Sequence, residues 1–199
     1  MHKLYDKKQH KKNSLLNAAF DLFTAKGIEK TSISDITLNA KVAKGTFYLY
    51  FKSKYDIYYK LISHKSSELF GKATQAMEKE HLRSLNEKII FLVDHIINEL
   101  ARNPKLLKFI SKNLSWAFFK EAVTGTPDSD NFDFQGFYLT MLKEDAATIE
   151  EPEIMLYTIV ELVNATCHNA ILYGEPATID TLKPFLYRDI NSIIDNHKV

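Results

Sequence analysis

The sequence predicts an all-α protein, and three observations lead to that prediction. Apolar residues recur at spacings of three and four along most of the chain, which is typical of helices with one buried face. Only 6 Gly and 5 Pro occur among 199 residues, and most of them fall between these periodic segments. Two Ser-x-x-Asp sequences, Ser32–Asp35 and Ser53–Asp56, have the form of capping boxes at helix starts. We therefore expect a helical N-terminal domain, residues 1–53, and a larger helical domain, residues 54–199.

The first domain is predicted to contain three helices. One helix is expected over 7–26, ending at Gly27 in the left-handed conformation. Two short helices are expected over 33–40 and 44–50, joined by a tight connection at 41–43. Two short helices set between two longer ones indicate a helix-turn-helix.

The second domain is predicted to be a set of longer helices. Pro104, Pro152 and Pro184 are expected in the first turns of three of them, unless Pro184 marks a later start of the last helix. A turn-rich exposed loop is expected over 125–131. The predicted helices cover 54–80, 84–102, 104–123, 132–146, 152–173 and 178–196.

Composition and charge restrict the function further. Hydrophobic residues make up 45% and charged residues 26%, which argues against both disorder and a membrane protein. Cys167 is the only cysteine, and the basic, polar N-terminus is not a secretory signal, so a reducing cytoplasm is expected. Residues 1–60 hold 12 Lys against 5 acidic residues, a net charge of +7, whereas residues 61–199 carry −6. A polyanion is thus the expected partner of the first third.

The segment KGTFYLYF, starting at Lys44, has the properties of a recognition helix. Gly45 has no side chain to hold the backbone away from base edges, and Thr46 and Tyr48 offer hydroxyl groups to phosphates. Residues 1–60 contain no Arg, so we hypothesise that Lys44 reads guanine in its place. The methyl group of Thr46 or the ring of Phe47 is then expected to meet a thymine methyl group.

Neighbouring residues are expected to hold this helix and to clamp the DNA backbone. Phe47 and Phe51, four residues apart, share a face that should pack on Ile33, Ile36 and the first helix. Lys54 stands at the start of the next helix, where free backbone amides and the helix dipole favour a phosphate.

The stretch TSISDITLNAKVAKGTFYLYFKSK resembles the N-terminal region of the TetR family of bacterial regulators, and the likeness runs from Ser14 to about Leu61. The resemblance implies a three-helix unit that binds double-stranded operator DNA, followed by a helical domain that dimerises and often holds a small-molecule effector. Repression is the usual activity in that family. By the same resemblance, the residues expected to contact DNA are Ser32, Ser34, Ala43, Lys44, Gly45, Thr46, Tyr48, Tyr50 and Lys54.

Two departures from the family pattern fall in the turn. Lys41 stands where Gly is usual, so a left-handed backbone there costs about 1 kcal/mol unless the turn relaxes. Ala43 stands where Ser is frequent and has no side-chain cap, at a cost of about 1 kcal/mol. Both changes affect local stability and leave the base-reading groups in place.

The two C-terminal helices are predicted to form a homodimer interface. The segment 154–173 is apolar nearly all round, but polar residues such as Glu161 and Asn164 argue against a membrane span. The last helix carries an apolar stripe at spacings of three and four, and pairing both helices with their copies gives a four-helix interface. The alternative is that both stripes belong to the core of one chain. The stripe consists of Ile179, Leu182, Leu186, Ile190 and Ile193.

Aromatic side chains are dense between about Phe91 and His168, which suggests an apolar effector pocket. Its polar groups are expected to be Trp116, Tyr138, Asn164 and His168. The alternative for each ring is an ordinary place in the core. For the whole protein, the alternative is a DNA-bound adaptor that contacts another protein and has no small ligand.

Signs of an enzyme are absent from the sequence. It contains no Gly-rich phosphate loop, no G-x-S-x-G, no H-E-x-x-H and no paired-cysteine metal spacing. Cys167 and His168 are sequence neighbours and point to different sides of a helix, which disfavours a nucleophile and base pair. We therefore expect no catalytic residues, no metal and no cofactor.

Overall fold

The computed structural model describes residues 2–111, 132–145 and 148–199. In these ranges the regular structure is helical, apart from one isolated β-bridge between Ile149 and Lys198. The all-α prediction is confirmed. The helices of the described residues are α1 His2–Lys26, α2 Ile33–Asn39, α3 Lys44–Tyr48, α4 Lys54–Met77, α5 Leu85–Arg102, α6 Pro104–Ser111, α7 Phe134–Lys143, α8 Pro152–Tyr173 and α9 Ile179–Asn196.

The chain divides into two compact units, Met1–Lys65 and Ser66–Val199. In the first unit, α1 packs on α2 and α2 packs on α3. The helix α4 is continuous across the boundary, so its first half belongs to one unit and its second half to the other. The buried side chains of the first unit include Leu15, Leu16, Ala19, Phe23, Ile36, Phe47, Phe51, Ile57, Leu61 and Ile62.

The predicted stop and start signals around α2 are present. Gly27 adopts φ +81° directly after α1, a left-handed backbone that glycine takes without strain. The Ser32 hydroxyl accepts a hydrogen bond from the amide of Asp35 at 3.1 Å, and the Asp35 carboxylate accepts from the amide of Ser32 at 2.9 Å. This capping box satisfies two amides that the helix leaves without partners.

The second predicted capping box differs from the expected form. The Ser53 hydroxyl accepts from the amide of Asp56 at 3.1 Å, as predicted. The Asp56 carboxylate, however, accepts from the amide of Lys52 at 2.6 Å and not from that of Ser53. The carboxylate thus reaches one residue further back and fixes the chain that leads into α4.

The helices of the second unit differ in part from their predicted bounds. The helix expected over 54–80 ends at Met77, and the one expected over 132–146 spans Phe134–Lys143, where the Asp133 side chain caps its first turn. The expectation for Pro184 is wrong: it lies inside α9, beyond the first turn, because the helix already starts at Ile179 with Thr178 as its cap. The predicted stretch 112–123 and the loop predicted over 125–131 lie outside the described residues.

The core of the second unit lies between α4, α5, α7, α8 and α9. The helix α9 packs on both α5 and α8, and α6 packs on α5 and α8. One polar cluster ties α5 to α9: Lys183 donates to Asp94 at 2.8 Å and Tyr187 donates to the same carboxylate at 2.5 Å. Burial by itself raises the pKa of Asp94, but the hydrogen bonds from Lys183 and Tyr187 outweigh that effect and lower it.

The helix α8 is apolar, but it does not qualify as a membrane span. Among the described residues, no helix combines the length and the apolar composition that a bilayer crossing requires.

The capping box predicts how acid affects the first unit. The amide of Ser32 and then the Lys26 ammonium group lower the pKa of Asp35 from 3.8 to about 2. A lowered carboxyl pKa stabilises the folded state above pH 3.8, and this contribution is lost as the pH falls through about 2. We expect Asp35→Asn to unfold more easily than the parent at pH 6, with the difference narrowing as the pH falls from 4 towards 2.

Urea unfolding of both proteins across this range checks the prediction. The variant Asp21→Asn, on an exposed position of α1, controls for the loss of one negative charge. A difference between parent and Asp35→Asn that is equal at pH 6 and pH 2 contradicts it.

Candidate functional sites

The helix α3 presents the residues that the sequence predicted for base reading. Lys44 and Gly45 form its exposed first turn, and Tyr48 is 55% exposed at its end. A Cβ atom built on Gly45 meets no atom within 4 Å, so the space in front of this turn is open. Thr46 is half-buried. The leading end of α3 therefore offers a close backbone approach with a cation beside it, as major-groove recognition requires.

The opposite side of α3 is anchored in the core. Phe47 is fully buried and Phe51 nearly so, and their ring centroids lie 5.5 Å apart. This agrees with the predicted anchoring on Ile36, which is also fully buried. It overturns the suggestion that the Phe47 ring meets a thymine methyl group, because a fully buried ring has no surface to offer. The methyl group of Thr46 is then the remaining candidate for contact with a thymine methyl group.

The turn before α3 keeps the strain that its sequence predicts. Lys41 adopts φ +54°, the left-handed conformation for which glycine is favoured. Ala43 occupies the cap position of α3 and makes no side-chain hydrogen bond to it. The first-turn amides of α3 are therefore left without a side-chain cap, and such amides are donors for an anion.

The remaining predicted contacts lie near this turn or at the start of α4. Ser32 and Ser34 are exposed at the start of α2, and the Ser32 hydroxyl, which accepts from Asp35, keeps its own proton free to donate. Tyr50 is half-buried beside the Phe51 ring, with centroids 6.3 Å apart.

The Lys54 side chain is held by a neighbouring acid. Its Nζ atom lies 4.0 Å from the Glu29 carboxylate and donates to the Glu29 carbonyl oxygen at 3.4 Å. The Tyr55 hydroxyl donates to the same carboxylate at 3.1 Å, and this bond raises the pKa of Tyr55. A phosphate that binds Lys54 must therefore compete with Glu29. Sequence reasoning missed this ion pair, because the two residues are 25 positions apart.

Two exposed leucines were also missed. Leu38 on α2 is 80% exposed and Leu49, at the end of α3, is 77% exposed. The short predicted helices gave no means of separating their apolar residues into buried and exposed ones. Apolar side chains in a DNA-facing surface can contact thymine methyl groups.

The second unit contains a partly open cavity of about 140 Å³. Its described walls come from the second half of α4 and from α5, α6, α7 and α8, and they are almost wholly apolar. The volume is close to the roughly 150 Å³ of an engineered apolar cavity that binds benzene, and below the range of about 300–1,000 Å³ for drug-sized ligands. The cavity therefore fits a small apolar molecule.

Three of the four residues predicted to serve a pocket lie at this cavity. Tyr138, Asn164 and His168 all contribute to its wall. The Tyr138 hydroxyl donates to the Pro152 carbonyl oxygen at 2.8 Å, and burial raises its pKa. His168 Nδ1 lies 3.1 Å from the Asn169 side-chain oxygen. Trp116 lies outside the described residues.

Cys167 also lies at the cavity wall and is buried there. Burial raises the pKa of its thiol to about 11. The group thus stays protonated at neutral pH, which makes it a poor nucleophile.

Ser66 on α4 is a cavity residue that the sequence analysis missed. Its hydroxyl oxygen is buried and has no hydrogen-bond partner in the structure. A buried hydroxyl without a partner costs about 1–3 kcal/mol. The surrounding sequence, SHKSSE, gave no sign that this serine faces an apolar space.

The outer face of α8 carries exposed apolar and aromatic side chains. Ile154, Tyr157 and Tyr173 on α8 are exposed, as is Phe185 on α9. The predicted stripe on α9 is not part of this surface. Leu186 and Ile190 are buried in the core of their own chain, and Ile179 and Ile193 pack against it. The expectation that this stripe pairs with a second copy is therefore wrong for Leu186 and Ile190, whereas Leu182 is half-buried and its pairing stays a prediction.

Comparison with known proteins finds a family match within the first unit. The family model for bacterial regulatory proteins of the tetR family matches residues 15–60, which confirms the resemblance drawn from the sequence. The uncharacterized HTH-type transcriptional regulator YvdT of Bacillus subtilis is 52% identical over 44 residues, 22% of this chain and 23% of that protein.

Two further likenesses extend beyond the first unit. The fatty acid metabolism regulator protein of Bacillus subtilis is 27% identical over 99 residues, 50% of each chain. These matches thus span 23% to 50% of the relatives' own lengths. The fatty acid degradation regulator FadR from Bacillus halodurans has a similar fold, with a TM-score of 0.65 at 18% identity over 89% of this chain and 96% of that one.

The substitution Gly45→Ala is expected to affect stability and DNA affinity in opposite directions. Because the added methyl group meets open space in the free protein, and alanine favours helices, we expect the variant to be about 0.5–1 kcal/mol more stable. The same methyl group should hold α3 away from the groove and lower duplex affinity about tenfold, the equivalent of one lost base contact.

Urea unfolding and DNA titration of the same preparation check both effects. Gly71→Ala, an equally open position on α4, is the matched control that should gain stability and keep its affinity. A Gly45→Ala protein that binds DNA as tightly as the parent would exclude close approach at this position.

Lys54→Ala is expected to weaken binding to all duplex sequences alike. Loss of one phosphate contact should reduce the slope of log affinity against log salt by about one unit. The measurement is a series of DNA titrations at increasing salt. Lys72→Ala removes the same charge from α4 within the second unit and should leave the slope unchanged. Equal slopes for Lys54→Ala and the parent would remove Lys54 from the contacts.

Proposed function

We propose that this chain, whose first unit belongs to the TetR family, is a transcription regulator that binds double-stranded operator DNA as a homodimer. The observation that carries the proposal is α3, which buries Phe47 and leaves Lys44 and Gly45 open at its leading end. The net charge of +7 over residues 1–60 attracts the polyanion to the same unit. Residues 1–53 are assigned to DNA binding and 54–199 to regulation and dimerisation, in a cytoplasmic protein.

The regulator is a repressor that a small molecule releases from its operator. The cavity supports an effector, since its apolar wall suits a ligand rich in hydrocarbon. Two similar proteins named as regulators of fatty acid metabolism or degradation favour the same ligand chemistry. This cavity also favours an effector-binding regulator over an adaptor without a small ligand.

The helix α4 is the element through which the effector acts. Its first residue, Lys54, is the proposed phosphate contact, and its later residues Ser66, Leu69 and Phe70 line the cavity. A ligand that binds one position of α4 more tightly than another shifts the protein towards that state. The ligand-bound state no longer holds the two recognition helices of the dimer at the distance between successive major grooves. The protein then leaves the DNA.

The outer face of α8, with the exposed part of α9, forms the dimer interface. Ile154, Tyr157 and Tyr173 provide an apolar surface that a second copy covers. A two-fold dimer requires an operator with two-fold symmetry, whose half-sites lie about 34 Å apart or slightly more.

A selection from random duplexes with the full chain tests the function. We expect it to return an inverted repeat, and we expect octane, which matches the apolar wall of the cavity, to lower the affinity for that repeat. Glucose, a polar molecule of comparable size, is the control that should have no effect. Failure to enrich any sequence at low salt would contradict the proposal. An operator affinity that no hydrocarbon changes would favour the alternative, a DNA-bound adaptor without a small ligand.

A further inference from the structure

Ser66 differs from several other helical hydroxyl groups in the described part of the chain. Within their helices, Thr24, Thr140, Thr158 and Thr166 each donate to the carbonyl oxygen four residues earlier, at 2.7–2.9 Å. On α4 itself, Thr74 donates to the carbonyl oxygen of Gly71 at 3.0 Å. The Ser66 hydroxyl makes no such bond, although the same acceptors are available to a serine in a helix.

A hydroxyl group that is buried without a partner calls for an explanation. Buried polar groups in proteins nearly always have hydrogen-bond partners, and each exception needs an explanation, of which a functional role is one. Among the described residues, only Asn13 and Ser66 carry a buried side-chain atom of this kind, and only Ser66 lies at the cavity. Its side chain turns about a single χ1 bond between staggered rotamers, so a ligand can engage it without backbone movement.

The rest of the cavity wall restricts the charge of a ligand. The described lining residues include no Lys, Arg, Asp or Glu. Besides Ser66, the polar side chains at the wall are Tyr138, whose proton is given to Pro152, and Asn164 and His168 on α8. An ionised group enters an apolar space at a large cost unless an opposite charge pairs with it. A ligand with a neutral polar group avoids this cost.

We propose that Ser66 is the polar anchor of the cavity and selects a neutral, mainly hydrocarbon molecule with one oxygen function, such as an alcohol, ester or ketone. This inference rests on the proposed effector site and specifies its ligand class. The Ser66 hydroxyl donates to the ligand oxygen, and the hydrocarbon part fills the remaining cavity between α5 and α8. Because Ser66 belongs to α4, the same hydrogen bond ties the ligand to the helix that begins at the proposed phosphate contact Lys54.

The test compares three probes with one hydrocarbon length: octanol, octane and octanoate. Calorimetric titration of the full chain should show octanol binding about fivefold more tightly than octane, the gain expected for one hydrogen bond. Octanoate should bind more weakly than octanol, because the described wall contains no Lys or Arg to offset its carboxylate.

Ser66→Ala is the decisive variant. It should bind octane like the parent and lose the preference for octanol, and its Tm without ligand should equal or exceed that of the parent because an unpaired hydroxyl group has been removed. The control Thr140→Ala removes a hydroxyl group that is bonded to Gly136 and absent from the cavity wall, and should keep the preference.

The outcomes separate the two proposals. An undiminished octanol preference in Ser66→Ala, or tighter binding of octanoate than of octanol, overturns the role of Ser66 while the effector site stands. A parent protein that binds none of the three probes overturns the effector site and the ligand class together. Loss of the preference in Ser66→Ala alone, with octane binding intact, establishes the anchor.

Discussion

Burial of Phe47 and Phe51 is the interaction on which the rest of the structure depends. The helix α3 contains only five residues, Lys44–Tyr48, and a helix of this length has no stability of its own in water. Each buried aromatic side chain contributes roughly 1.5–3 kcal/mol, which is enough to hold such a short helix on the core. With the two rings fixed beneath it, α3 has one orientation, and its first turn faces outward.

The anchors also explain why the strained turn persists. Lys41 in the left-handed conformation and the uncapped start of α3 at Ala43 each raise the free energy of the fold by about 1 kcal/mol. The buried rings and the capping box at Ser32 offset that strain. What the turn retains is a helix start without a side-chain cap and a side-chain-free position at Gly45, and both favour close approach of DNA. Local instability and DNA recognition thus arise from the same residues.

Features that depend on residues close together in the sequence could be predicted, and features that depend on tertiary packing could not. Gly27, the capping box at Ser32 and the spacing of Phe47 and Phe51 act within a few residues, so the helix-turn-helix was evident in the sequence. Leu186 and Ile190 on α9 were misassigned, because the spacing of a stripe is the same whether it faces its own core or a second copy. Ser66 was missed, since only packing decides which side of α4 lines a cavity. Glu29 was missed for the same reason, because its partner Lys54 is distant in sequence.

The central claim is that the first turn of α3 lies in the major groove, and a structure of the full chain bound to its selected operator tests it most directly. We expect Lys44 within hydrogen-bonding distance of a base edge, the Gly45 backbone in contact with the groove, and Lys54 next to a phosphate. A complex in which α3 points to solvent, or in which DNA contacts only the second unit, would contradict the account.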